Sequence, residues 1–159
     1  MNPHLSQLQP YPFEKLRQLT ADVVPAAGLK EIRLSIGEPQ HATPAFIKTA
    51  LSEGLSGLAN YPSTAGSPVL RQAIGTWIGR RYGIPAPDAE TQVLPANGSR
   101  EALFAFAQAI IDSGKPGTLV ACPNPFYQIY EGAALLAGAQ PVFLNTLPDN
   151  GFDFDLGAL

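Results

Sequence analysis

The residues with the clearest chemical potential are Asn97-Gly98-Ser99-Arg100-Glu101, which separate a short apolar stretch from a helix-forming one. The first N–H groups of a helix have no intrahelical partner and sit at the positive end of its dipole, so such a turn can hold an anion. Gly98 lets an oxyanion approach the backbone, Ser99 adds a hydroxyl and Arg100 adds charge. The other reading is a capped helix whose Arg100 and Glu101 are solvated, since many strand–turn–helix corners serve structure alone. A second candidate is Pro123-Asn124-Pro125-Phe126-Tyr127-Gln128-Ile129-Tyr130, which follows an apolar run. Ligands of parallel α/β sheets lie outside the carboxyl ends of strands. An aromatic there, such as Tyr127, can stack on a flat ring; core packing is the competing reading. Tyr61, in Tyr61-Pro62-Ser63-Thr64-Ala65-Gly66, reads as a loop tyrosine, and Gly37-Glu38-Pro39 as a strand-ending turn. None of the four lysines (Lys15, Lys30, Lys48, Lys115) lies in the apolar context that lowers a lysine pKa for Schiff-base work. His4, His41 and Cys122 are too few and too scattered for a zinc cage, so no metal site is expected.

The elements that must position these residues follow from periodicity and punctuation. Residues 1–30 read as an arm broken by Pro3, Pro10, Pro12 and Pro25, with a short helix over Glu14–Ala21. Glu31–Ile36 alternates as a strand. Thr43-Pro44 and Ser67-Pro68 both look like an N-cap followed by proline at the first helical position. In the second helix Leu70, Ile74, Trp77, Ile78 and Tyr82 form the apolar stripe, leaving Arg71, Arg80 and Arg81 for water or partners. Beyond Pro87 the pattern alternates. Thr91–Leu94 reads as a strand, and Asn97 caps a helix to about Asp112 whose run Ala102–Ile111 is apolar enough to be buried. Gly117–Cys122 is a strand of the parallel, doubly covered kind. Phe126–Ala137 is a helix, Pro141–Leu144 a third strand, Pro148–Gly151 a turn, and Phe152–Leu156 the start of a new element. A βαβαβ order implies an α/β fold with a mostly parallel sheet and right-handed crossovers.

Composition narrows the functional classes. The formal net charge is −3 over 159 residues, against the basic face that nucleic-acid binding needs. Charged residues make up 14%, against about 25% in an average domain. Glycine and proline, 15 and 16 in number, make the chain turn-rich. So little charge suggests a surface covered by a partner or by more of the same protein. A lone cysteine allows no internal disulfide and fits the reducing cytoplasm. No signal core and no run of membrane-spanning length stands out. A three-stranded sheet with bare edges is an incomplete design, so the chain reads as the N-terminal part of a larger protein.

Four segments taken together are more specific than any one. In order and spacing, LSIGEPQHATP, YPSTAGSPVLRQAI, NGSREALFAFAQAI and PNPFYQIYEGAALLAGA resemble the aspartate-aminotransferase-like family of pyridoxal-phosphate enzymes, fold type I. Within it, LQPYPFEKL, IRLSIGEPQH and YPSTAGSPVLRQAI with the later RRYG are most similar to the bacterial succinyldiaminopimelate branch, which serves lysine and cell-wall precursor synthesis.

The resemblance implies that residues 1–45 are an N-terminal arm and the start of the small domain, and 46–159 the first part of the large cofactor-binding domain. It places the pyridoxal 5′-phosphate phosphate on the backbone of Gly98, Ser99 and Arg100, and Tyr127 over the pyridine ring. Tyr61 would reach the phosphate of the neighbouring subunit, making a homodimer, and the Gly37 N–H would lie near the substrate carboxylate. Where many relatives have aspartate–phenylalanine, this chain has Gln40-His41, leaving open whether His41 touches substrate. No catalytic residue falls within the segment: the Schiff-base lysine is expected beyond Leu159, so the segment alone is expected to be inactive. The substrates implied are an amino acid, N-succinyl-LL-2,6-diaminopimelate, and 2-oxoglutarate, with no nucleic acid and no membrane. Another fold-type-I aminotransferase, a β-lyase and a non-catalytic phosphate-binding or interaction module are the alternatives.

Overall fold

A computed structural model describes residues 1–155 and 157. It contains five α-helices and two strands among those residues: α1 (Pro12–Leu19), α2 (Ala45–Glu53), α3 (Pro68–Tyr82), α4 (Ser99–Ile110), β1 (Leu119–Asn124), α5 (Ile129–Leu136) and β2 (Gln140–Asn145). Single 3-10 turns cover Pro3–Gln7, Gly54–Ala59 and Pro148–Asn150. The chain divides into two compact units, one of Met1–Ala21 with Ala96–Leu159, the other of Asp22–Pro95.

The first unit is built on one β–α–β crossover. β1 and β2 pair in parallel, from Leu119 opposite Gln140 to Asn124 opposite Asn145. α5 returns the chain between them, and its small face (Ala133, Ala134, Leu135) is buried, together with Cys122, Ala137, Ala139 and Leu144. Alanines let the helix backbone lie close to the sheet, and the left-handed Gly138 turns the chain into β2. α4 lies on α5, where Gln108 Nε2 donates to the Ala133 carbonyl at 3.1 Å. The N-terminal residues close the other side: Asn2 Nδ2 donates to the Leu136 carbonyl at 3.1 Å, and Leu8 lies over Gly132. Burial pushes the Cys122 thiol pKa up, and the Glu131 carboxylate adds to the shift.

Several expectations need correction here. The sheet has two strands among the described residues, not three. Thr91–Leu94 is not a strand, because Asp88 captures its start. The Asp88 carboxylate accepts from the N–H groups of Glu90 and Thr91 and from the Thr91 hydroxyl. The Gln92 N–H turns back to the Asp88 carbonyl. Glu31–Ile36 is not a strand either; a ladder needs a second strand, and Ile32 and Leu34 stand 79% and 86% exposed. Ala102–Ile111 is helical but not buried, with Phe106 and Ile110 open on an apolar groove of about 880 Å³ between α4, β1 and α5. β1 is likewise covered on one face rather than two, with Cys122 buried and Leu119 exposed. Boundaries shift too. α1 starts at Pro12, β1 runs to Asn124, and Phe126–Gln128 remain a loop before α5. The element expected over Phe152–Leu156 ends outside the described residues.

The second unit is held differently. Ser67 caps α3 as expected, its Oγ accepting from the Leu70 N–H at 3.2 Å, and Gly83 ends the helix in the left-handed region. At α2 the cap is Pro44 rather than Thr43, with no side-chain cap bond. The stripe expected on α3 is covered only in part: Ile74 and Ile78 are half-buried, Leu70, Trp77 and Tyr82 are exposed, and the buried residues are Arg71 and Gly75. The covered row is Arg71, Gly75 and Gly79, one residue every four. A Cβ on Gly75 would meet the Pro87 carbonyl at 2.8 Å, so the returning backbone of 84–90 fits that row only because it is small. Arg71, expected to face water, spans the end of the row instead. Its guanidinium donates to the Ala89 carbonyl at 2.8 Å and stands 3.6 Å from the Glu90 carboxylate.

Candidate functional site

The corner at 97–101 forms, with a different cap from the one expected. Gly98, not Asn97, is the N-cap of α4, and no side chain bonds to the first turn. The leading N–H groups of the helix therefore face outward without a protein partner. Gly98 has φ +125°, which disfavours any residue with a Cβ. A Cβ there would also collide with the Glu101 carboxylate, which folds back over the corner. That carboxylate lies at the end of the helix where negative charge is favoured. Gly98, Ser99 and Arg100 are all exposed.

Arg100 is not solvated as a lone charge. Its Nε donates to the Tyr127 hydroxyl at 2.9 Å, and its guanidinium carbon lies 5.7 Å from the centre of the Tyr127 ring. The hydrogen bond to Tyr127 is the largest cause raising the Arg100 pKa, so this side chain stays charged at any working pH.

Tyr127 is placed by its neighbours. Phe126 turns onto the sheet and packs against Phe143 of β2 at 4.7 Å between ring centres. Tyr127, next in the chain, is thereby sent the other way, 41% exposed, with Tyr130 edge-on at 5.9 Å. The strand ends beneath this loop are tied by Asn124 Nδ2 to Asn145 Oδ1 at 2.8 Å and by Thr146, which donates twice to the Asn124 carbonyl. The structure thus brings Gly98, Ser99, Arg100 and Tyr127 together at the carboxyl end of β1. Gly37 and Tyr61 belong to the other unit; Gly37 is exposed, just after a bend at Ser35-Ile36, and Tyr61 is fully exposed. Sequence reasoning missed the bond from Arg100 to Tyr127, which joins two segments 27 residues apart and has no local signal.

An uncapped helix start, a glycine without a Cβ and a cation held beside it fit a phosphate. A half-exposed aromatic alongside fits the ring of a phosphorylated cofactor. Together with the parallel crossover they define an α/β unit of the cofactor-binding kind. Comparison with known proteins takes this further. Residues 30–159 match the family model described as aminotransferase class I and II. The LL-diaminopimelate aminotransferase of Desulforudis audaxviator is 37% identical over 98% of this chain and 39% of its own length. A crystal structure of an aminotransferase from Neisseria meningitidis matches all of this chain and 40% of its own, with TM-score 0.90 and 44% identity. Aminotransferase AspB from Helicobacter pylori matches 94% of this chain and 38% of its own, with TM-score 0.83 and 38% identity. The chain belongs to the class I and II aminotransferases, pyridoxal-phosphate-dependent enzymes of fold type I. It spans about 40% of the length of the relatives it matches. Among the described residues no helix is long and apolar enough to cross a membrane, and no group of three or more His, Cys, Asp or Glu is placed to hold a metal.

Proposed function

We propose that this chain is the N-terminal part of a pyridoxal-phosphate-dependent aminotransferase of the cytoplasm. Residues 1–45 provide its arm and the start of the small domain, and 46–159 begin the large domain. The observation that carries this reading is the uncapped corner at Gly98, linked through Arg100 to Tyr127, in a chain whose relatives are aminotransferases. When bound, pyridoxal phosphate supplies the electron sink that makes the Cα–H of an amino acid acidic. This chain's residues hold and orient. The N–H groups of Ser99 and Arg100 bind the phosphate, with Gly98 giving access. Tyr127 bounds one face of the ring and excludes water from it. Gly37 turns its N–H toward the substrate carboxylate. Tyr61 donates its hydroxyl to the phosphate bound by the partner subunit, so the working unit is a homodimer. That bond is charge-assisted, and its loss in Tyr61→Phe weakens cofactor binding by roughly ten- to a hundredfold.

The amino donor is N-succinyl-LL-2,6-diaminopimelate and the acceptor 2-oxoglutarate, in lysine synthesis. The relatives are LL-diaminopimelate aminotransferases, which supports a diaminopimelate-type donor and favours a second reading, in which free LL-diaminopimelate is the donor. Turnover of the two donors by the cofactor-loaded full-length enzyme decides. Preference for the succinylated donor is the expected result, and preference for the free one assigns the second reading. Turnover of neither, with cofactor bound, overturns both.

A further inference from the structure

The segment 84–95 returns along α3 and ends against the loop that carries Tyr61. Ala86 Cα lies 3.1 Å from where a Cβ on Gly79 would stand, and the Pro87 carbonyl oxygen 2.8 Å from one on Gly75. Arg71 then takes the Ala89 carbonyl, and beyond the start of the helix Pro95 closes on Gly66. A Cβ at Gly66 would stand 2.7 Å from Pro95 Cγ and 3.0 Å from its Cδ, so the proline ring occupies the place of a side chain. Gly66 also has φ +79°, which disfavours any residue with a Cβ. Its N–H closes a turn onto the Ser63 carbonyl at 3.0 Å, and Ser67, next in the chain, caps α3. The loop 61–66 is therefore held at its end by a turn, a helix cap and a proline ring. At its start Tyr61 precedes Pro62, which restricts the tyrosine backbone, and its side chain is fully exposed. A large aromatic on a fastened loop is thus left uncovered by its own unit.

We propose that Gly66 and Pro95 are positioning residues for Tyr61: their contact fastens the loop so that the tyrosine hydroxyl is presented to the phosphate bound by the partner subunit. This rests on the reading that Tyr61 serves that phosphate. Neither residue touches cofactor or substrate; both act through the loop. A hydroxyl on a loose loop must be ordered whenever cofactor binds, and that entropy is subtracted from the bond it makes. A loop already fixed loses little. The close approach makes glycine necessary at 66, and the proline ring gives the turn a stiff surface to rest on. The seat is itself fixed, because the small row and Arg71 lay the segment 84–95 along α3.

The test uses hybrid dimers of the full-length enzyme, in which one subunit keeps the Schiff-base lysine and the other lacks it. Visible absorption of the lysine-bound cofactor, followed during titration with pyridoxal phosphate, then reads the affinity of one site alone. Gly66→Ala on the lysine-free subunit is expected to weaken that site by about three- to tenfold, part of the loss that removal of the whole bond brings. The same substitution on the lysine-bearing subunit is expected to leave the site at its wild-type affinity. A merely structural defect would act within its own subunit or in both arrangements. Pro95→Ala removes the two atoms nearest Gly66 without straining the loop, and is expected to repeat the pattern at about two- to threefold; it decides the outcome if Gly66→Ala does not fold. No weakening from the lysine-free subunit, or similar weakening from both, overturns the proposal. Tyr61→Phe in the same hybrids separates that failure from failure of the premise. If Tyr61→Phe weakens the site from the lysine-free subunit while the other variants do not, the proposal falls alone. If Tyr61→Phe has no such effect, the reading of Tyr61 falls with it.

Discussion

The two compact units of this chain are stabilised in opposite ways. In the first, a crossover helix of small residues closes on two parallel strands, and every buried apolar side chain of the described residues lies there. In the second, the buried residues of α3 are an arginine and a glycine, and the returning backbone is held by hydrogen bonds to its carbonyls. One unit is organised by apolar contact, the other by a buried charge and close backbone approach. The difference matters for function, because the loop that carries Tyr127 stands on the apolar unit.

The contrast can be broken in the full-length protein, most strongly at its apolar end. Leu135→Ala empties the packed face of α5 and is expected to cost about 2–5 kcal/mol in denaturant unfolding. An effect under half a kcal/mol would mean that this face is not the core of its unit. Arg71→Met in the second unit leaves the Ala89 carbonyl without its donor, at an expected cost of about 1–3 kcal/mol. Arg71→Lys should recover only part of it, since one ammonium cannot reproduce the fork; full recovery would reduce Arg71 to a generic charge. Ser67→Ala removes the α3 cap and should cost about 1 kcal/mol, measured the same way.

The smallest effect is one of pH. Hydrogen bonds from the Thr91 N–H and hydroxyl, then the Glu90 N–H, hold the Asp88 carboxyl below the usual carboxylate range. Its folded pKa is therefore below its unfolded one. The stabilisation is present above the unfolded value and is lost as pH falls through the folded value. Asp88→Asn should flatten that acid limb of the unfolding curve and leave stability near neutrality little changed; an identical acid limb would count against the turn.

How much of this was legible in the sequence depends on whether a pattern is satisfied within the chain. The β1–α5–β2 crossover reads directly from the apolar run at 117–122, the alanines of 133–139 and Gly138, because its elements cover one another. Ser67 reads correctly because a cap is a local interaction. Glu31–Ile36 has the alternation of a strand and none of the pairing, since a ladder requires a second backbone. The α4 stripe reports what a helix would bury, but the described residues bring nothing over Phe106 and Ile110. On α3 the largest residues set the expected stripe, whereas the smallest ones set the packing. At the candidate site, Gly98 and Tyr127 stand out by type and spacing. The bond between Arg100 and Tyr127 spans 27 residues, so it has no local signature.

The central claim, that the corner before α4 receives the cofactor phosphate, is tested most directly at Gly98. Equilibrium titration of full-length wild type and Gly98→Ala with pyridoxal phosphate gives the two dissociation constants. The substitution forces a Cβ into the +125° backbone and against Glu101. A strain of roughly 1–3 kcal/mol at that position corresponds to about five- to a hundredfold weaker binding. The account expects that loss with the fold retained by far-ultraviolet circular dichroism. Equal dissociation constants in two equally folded proteins would contradict it.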